Sequence, residues 1–384
     1  MQFTREEEKA LNGEEGEALA TAYRILLAIG ESTDAKKLVP VRWVHISGVN
    51  YNTIGDSGVQ FLQNLSGDGK FAVKTTINPM GYDPLKINSL KVKAEFIMQQ
   101  NRIADAYKRM GATKSYTCCP YDVFDMPSEG TDVSVAESNA AVYTNSVLHL
   151  RTNRESALSA LASALTGKAP YSELRIEEMR KPDKCIKIKG ELDNELDYGF
   201  LGYFTGKVAN NVVAFDGIKE LEKRNAKALS AAIGTSGSCG MFTIGKTEGE
   251  RIEFGKEEII KVKDELSTIE SGDIITLGSP QLGVDDLSLL AHMVDGKKFR
   301  KKCLIFCARA AYENARDLGY TQKIEHAGGE LLCDCCICLT PLVDRNEVDS
   351  VITNSIKGAY YLNNANKVGV CLKPLKDIVK QECV

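Results

Sequence analysis

The sequence predicts an α/β protein made of doubly wound units with mainly parallel sheets. Two observations lead there. The chain has 384 residues, too many for one ordinary core, so two or three units of α/β size are expected. One pattern, strand then helix then glycine then strand then cysteine, also occurs near both ends, and such alternation is how parallel sheets are built.

The first helix should start at Thr4-Arg5-Glu6-Glu7, where Thr4 can cap the first turn and Glu7 can reach back. A second, about Gly16 to Ile29, has Ala18, Ala22, Ile25, Leu26 and Ile29 spaced for one buried face. Alternating apolar residues predict a strand from Leu38 to Ile46. The segments Ser47 to Tyr51 and Ile54 to Gly58 read as Gly-rich loops, with His45 nearby as a structural residue by default. Phe71 to Thr76 reads as a strand, Val92 to Met110 as a helix ended by Gly111, and Thr113 to Thr117 as a short strand delivering Cys118-Cys119-Pro120-Tyr121.

Near the other end, Asp273 to Leu277 is a strand running into Gly278-Ser279-Pro280-Gln281. Leu287 to Asp295 is a helix, Lys302 to Phe306 a strand and Ala308 to Leu318 a helix. The next strand leads into Leu331 to Pro341, which holds Cys333, Cys335, Cys336 and Cys338. Cys118, Ser279 and Cys336 therefore fall at carboxyl ends of strands, where open α/β sheets place ligands. If Leu331 to Pro341 is extended, Cys336 and Cys338 share a side and Cys335 points away.

The middle differs in texture. Val133 to Glu155 mixes Glu137, Ser138, Asn139, Asn145, Asn153 and two arginines with small apolar residues, so its polar groups are partly buried and need partners. Arg151 and Arg154 suit either anion binding or structural ion pairs. An Ala/Leu-rich helix follows to about Leu165. Cys185 to about Asp216 is strand-rich, with a helix from about Asp197. Ala228 to Ile233 is helical, and Thr235 to Gly240 is a Gly/Ser loop that turns the chain or cradles a phosphate. The charged run Thr247 to Asp264 reads as a solvated connection. The expected divisions are 1–150, 151–265 and 266–384.

A net charge of -4 with 26% charged residues gives no basic surface for nucleic acid or anionic lipid. No leader pattern and no run of membrane-span length occurs, so a cytoplasmic location is expected, with no membrane or nucleic-acid partner. The twelve cysteines are expected to be free thiols, because disulfide frameworks belong to small secreted domains. Cys185, Cys303, Cys307 and Cys371 read as inert and buried, and Cys383 as frayed. A zinc site in the cysteine cluster is a rival reading, weakened by its crowded spacing.

Taken together, several stretches resemble the aconitase X family, the large-subunit branch of the aconitase superfamily. They are Thr4 to Glu8 with Asn12-Gly13-Glu14, Asn52 to Gly58, Thr75 to Pro79, Cys118 to Tyr121, Glu137-Ser138-Asn139, Asn145-Ser146, Arg151 to Glu155, Ser236-Gly237 and Thr353 to Lys357. Within the family, the Arg-Thr-Asn-Arg-Glu run and the Ile-Gly-Asp loop look more like the archaeal-type mevalonate 5-phosphate dehydratases than the cis-3-hydroxyproline dehydratases.

The resemblance implies three aconitase-like α/β domains with mainly parallel sheets and a small swivelling-domain subunit as partner. It implies a hydro-lyase that removes water from a small β-hydroxy acid, using an iron centre, a 4Fe–4S cluster or a mononuclear iron, as Lewis acid. Cys118 and Cys336 match two of the family's three cysteine ligands. The third is missing, because Gly278-Ser279-Pro280-Gln281 stands where the family has Gly-Cys-Pro-His, and a serine hydroxyl is a poor cluster ligand. Ser279 itself or a surrogate thiolate, Cys338 first, then Cys119 or Cys335, would complete the set. Arg151, Arg154 and Lys357 are the expected charge-stabilising groups, and Asn78, Glu137, Ser138, Asn139, Asn145, Asn153, Ser236 and Ser355 the expected substrate ligands. A non-catalytic scaffold or regulatory paralogue is the competing reading, since it accounts directly for Ser279 and Gln281.

Overall fold

The computed structural model describes residues 1–384 except Ser89, Glu248 and Leu339. The chain opens with α1 (Arg5–Leu11), capped by Thr4 and Glu7 in the expected reciprocal arrangement, and α2 (Glu17–Ser32). The extended stretch predicted from Leu38 to Ile46 is two strands, β1 (Leu38–Pro40) and β2 (Trp43–Ile46). Between them the amides of Val41 and Arg42 bond to Gly167 and Asp132, outside any ladder.

Next come α3 (Tyr51–Leu65), β3 (Lys74–Ile77), α4 (Ala94–Met110), β4 (Ser134–Val135), α5 (Ser138–Ser146), α6 (Ala157–Thr166) and β5 (Lys168–Pro170). The predicted loop Ile54 to Gly58 lies inside α3. Asn50 caps that helix and Val59, Leu62 and Leu65 bury one face, while Gly55, at φ 58°, only kinks it. The strand predicted at Thr113 to Thr117 is reduced to a bridge between Thr76 and Thr113, and Tyr116 takes a positive φ of 37°. Sheet order here is β3-β2-β4, all parallel, while β1 pairs antiparallel with β5.

A second parallel sheet, ordered β8-β7-β6-β9, is built from β6 (Lys184–Ile188), α7 (Glu195–Val208), β7 (Val212–Asp216), α8 (Lys223–Ser236), β8 (Met241–Ile244), β9 (Glu250–Phe254) and α9 (Lys256–Leu266). The charged run at Thr247 to Asp264, whose Glu248 lies outside the described residues, is thus an edge strand and a helix. Phe254, Val262 and Leu266 pack into the core, and the charges ride on the outer faces.

The third sheet, ordered β12-β11-β10-β13-β14 and parallel throughout, takes β10 (Ile274–Leu282), α10 (Val284–Val294), β11 (Cys303–Cys307), α11 (Arg309–Asp317), α12 (Tyr320–His326), β12 (Gly329–Cys333), β13 (Ser350–Thr353), α13 (Ile356–Tyr361), β14 (Gly369–Leu372) and α14 (Leu375–Glu382). β10 runs on through Gly278 to Gln281 instead of ending at Leu277. β12 stops at Cys333, because Asp334 turns the chain at φ 62°. The extended reading of Leu331 to Pro341 therefore fails after Cys333, and its Leu339 lies outside the described residues. Cys383, expected to fray, is 8% exposed and bridges Phe299, with Lys298 and Val384 exchanging backbone bonds beside it. One continuous core joins the second and third sheets, from Phe215 and Phe242 to Leu332 and Cys336.

Candidate functional site

Four segments from different parts of the fold meet in a cavity of about 470 Å³. Cys118 arrives on the loop beyond Tyr116, and Cys336 and Cys338 lie on the turn after β12. Glu137 immediately precedes α5, and Lys357 occupies the first turn of α13; all five, with Asn78 and Tyr361, line this cavity. The cysteine turn is held from the first sheet by a backbone bond from Met80 to Asp334 and by buried Asp83, which accepts from the Cys333 amide at 2.9 Å and from Arg309 at 2.5 Å.

The three thiols form one wall. Cys336 interacts with Cys118 on one side and with Cys338 on the other. Cys338 Sγ lies 3.4 Å from Ser279 Oγ, so the turn delivers a thiol to the place beside the serine. Their proton affinities differ. The Cys119 contact draws Cys118 downward, but the bond to Cys336 and burial prevail and push it up to about 12. Cys338 is held below the ordinary thiol value by its bond to Cys336, against burial, with Lys357 and Ser279 assisting.

A polar chain faces the thiols. Lys357 Nζ bonds Glu137 Oε1 and Asn139 Oδ1, each at 2.6 Å, and Asn139 donates to the Cys118 carbonyl at 2.9 Å. Burial opposes ionisation of Glu137, yet the Lys357 charge and the Asn78 bond hold its pKa below the usual carboxylate value. The Asn78 amide donates to Glu137 Oε2 at 2.5 Å, which turns its Oδ1 toward His45 Nε2 at 2.8 Å. That oxygen needs a proton from the ring, so neutral His45 carries it on Nε2 and accepts a hydrogen bond from the Thr76 hydroxyl at Nδ1, 2.8 Å away.

Other residues singled out in the sequence lie elsewhere. Arg151 pairs with Glu177 at 2.7 Å near the surface. Arg154 bonds the Gly234 carbonyl at 2.9 Å and the Gly237 carbonyl, and faces a second cavity of about 370 Å³ that shares Ala136 and Ser138 with the first. Asn145 ties Thr152 to Gly240, Asn153 donates to Ser172, and Ser236 back-bonds to Ala232. Ser355 caps α13 and donates to the Ser279 carbonyl. His45, read as structural, is fully buried, meets the site through Asn78 and does not line the cavity. One lining residue was missed: Tyr361 follows Lys357 at i+4, a spacing that puts both on one helical face.

The donors suit an iron–sulfur group, since soft thiols in a row can each hold a different iron. Among the described residues, no three His, Cys, Asp or Glu side chains gather around a single ion position.

Comparison with known proteins extends this picture. Residues 1–178, 182–276 and 272–384 match the first, second and third domains of aconitase X, respectively. The phosphomevalonate dehydratase large subunit of Methanocaldococcus jannaschii is 35% identical over 99% of this chain and 100% of its own length. That of Methanosarcina mazei is 35% identical over 94% and 92%. The cis-3-hydroxy-L-proline dehydratase of Hypocrea jecorina is 32% identical over 91% of this chain but only 63% of its own. The crystal structure of Thermococcus kodakaraensis aconitase X in its holo-form matches with a TM-score of 0.92 at 30% identity, covering 100% of both chains. By sequence over its whole length and by fold, the chain belongs to the aconitase X family.

Proposed function

We propose that this chain is the large subunit of a hydro-lyase that converts mevalonate 5-phosphate to trans-anhydromevalonate 5-phosphate. The observation that carries the reading is the thiol wall of Cys118, Cys336 and Cys338 facing the buried Lys357–Glu137 pair across one cavity. The relatives named phosphomevalonate dehydratase large subunit match over most of both chains, which favours this substrate over a hydroxyproline. Their names support a small partner subunit, here taken to be a swivelling domain. The same thiol wall favours an enzyme over a scaffold, because Cys338 stands beside Ser279 where a third ligand is wanted.

The reaction removes a proton from the carbon beside the carboxylate and a hydroxyl from the next carbon, which leave as water as the double bond forms. An iron centre held by Cys118, Cys336 and Cys338 would supply a Lewis acid for the departing hydroxyl. Lys357 remains cationic, because the charge of Glu137 outweighs burial. Glu137 and Asn139 take two of its three N–H groups. The third is directed to the substrate carboxylate, where negative charge grows as the α-proton leaves. Glu137 and Asn139 fix the ammonium before substrate arrives, and Asn78 fixes Glu137. Among the described residues no helix is long and apolar enough to cross a membrane.

The test is anaerobic co-purification with the small subunit, followed by iron and sulfide analysis and a dehydration assay on mevalonate 5-phosphate. Bound iron with product formation is expected. Neither iron nor turnover would reject the proposal.

A further inference from the structure

Gln281 is a polar side chain buried close behind the thiols, only 1% exposed, and it is not part of the cavity wall. Its carboxamide meets backbone from three separate segments. Oε1 accepts from the Cys118 amide at 3.3 Å, while Nε2 donates to the carbonyls of Cys335 at 2.8 Å, Cys307 at 3.2 Å and Tyr116 at 3.3 Å. Only the nitrogen can donate to carbonyls, so these partners fix which way the amide faces. The backbone amide of the same residue points at Cys118 Sγ, 3.3 Å away.

Of these segments, Cys307 lies in β11, but the other two have little ladder support of their own. Cys118 follows a stretch with one β-bridge and a positive φ at Tyr116, and Cys336 sits on the turn made by Asp334. Asp83 and Met80 tie the cysteine turn to the first sheet, but they do not touch Cys118. Gln281, in β10, bonds both Cys118 and the residue preceding Cys336.

We propose that Gln281 is a positioning residue that sets the separation of the Cys118 and Cys336 thiols, and so the geometry offered to an iron centre. The proposal rests on the iron-centre reading above. A buried network that joins two segments outside the regular ladders decides their spacing, because moving either one strands several desolvated polar groups at once.

The test uses iron-free protein, wild type and Gln281→Met, which keeps the volume and removes every side-chain hydrogen bond. Both are treated with phenylarsine oxide, which bridges two neighbouring thiols, and the adducts are mapped by mass spectrometry. The wild type should carry a Cys118–Cys336 bridge, and the folded variant should form it about ten-fold less while keeping the Cys336–Cys338 bridge. Equal Cys118–Cys336 bridging in the folded variant overturns the proposal. If the variant does not fold, hydrogen exchange on iron-free wild type decides. The Cys118 amide, held by Gln281 Oε1, should exchange about a hundred-fold slower than a free amide, and exchange at the free rate overturns the proposal. Iron analysis of wild type loaded anaerobically is read separately. A chain that takes no iron overturns the iron reading, while the arsenical result still decides the positioning.

Discussion

Lys357 Nζ and Glu137 Oε1, 220 residues apart in sequence, meet at 2.6 Å with side chains only 5% and 11% exposed. Breaking one side of such a pair leaves the other charge buried and unpaired. Lys357→Met should therefore lower stability by about 3–5 kcal/mol in urea unfolding, and Glu137→Gln by less, since its amide can still accept from Lys357. The same lysine variant should abolish dehydration even where folded protein remains. Unchanged turnover in Lys357→Met would remove the charge-stabilising role.

Burial lowers the pKa of His45 from 6.5 to about 4, against the Glu137 charge and the Asn78 bond. Between those values the unfolded chain binds a proton that the folded one refuses, so folding stability falls as pH drops from 6.5 to 4. The loss is about 3 kcal/mol at 1.36 kcal/mol per unit. Urea unfolding at pH 7 and at pH 4.5 checks it. The drop should be clearly smaller in His45→Gln, and an identical drop would show that other groups carry it.

Cys338 lies beside Ser279 and is the thiol of the three whose proton is held most loosely. Cys338→Ser should lose most of the iron bound on anaerobic reconstitution, and adding Ser279→Cys should restore it, because the two side chains touch. Full iron retention in Cys338→Ser would reject the assignment.

α7 and α8 pack closely enough that a Cβ on Gly202 would come within 2.5 Å of the Leu229 carbonyl and 2.8 Å of Ala232 Cβ. Backbone cannot yield as a flexible side chain can. Gly202→Ala should cost about 1–3 kcal/mol, measurable as a lower urea midpoint.

The α/β class and the parallel sheets were legible because buried parallel strands such as Cys303–Cys307 and Val212–Asp216 are continuous apolar runs bounded by helical rhythm. β9 and α9 were not, since Glu250, Arg251, Lys256 and Glu257 hide the sparse apolar period from any local count. The cysteine turn was illegible for a different reason: Asp334 has the same sequence appearance as an extended residue, and only its backbone angle of φ 62° shows the turn. In the site, residue types that need burial and a partner could be picked out, but their facing could not. Arg151, Arg154 and Asn145 come from the same stretch as Glu137 and Asn139, yet their partners are Glu177, the α8 carbonyls and Thr152.

The wall that carries Cys118 is made early in the chain, while Cys336 and Cys338 come near its end. Synthesis runs from the N-terminus, and domains fold as they emerge. The first sheet can thus be complete on the ribosome while its thiol still has no companion. If the chain holds the proposed iron centre, loading would wait until Cys338 has emerged and the third sheet has docked. A chain cut short before the cysteine turn would lack two of the three thiols that line the cavity.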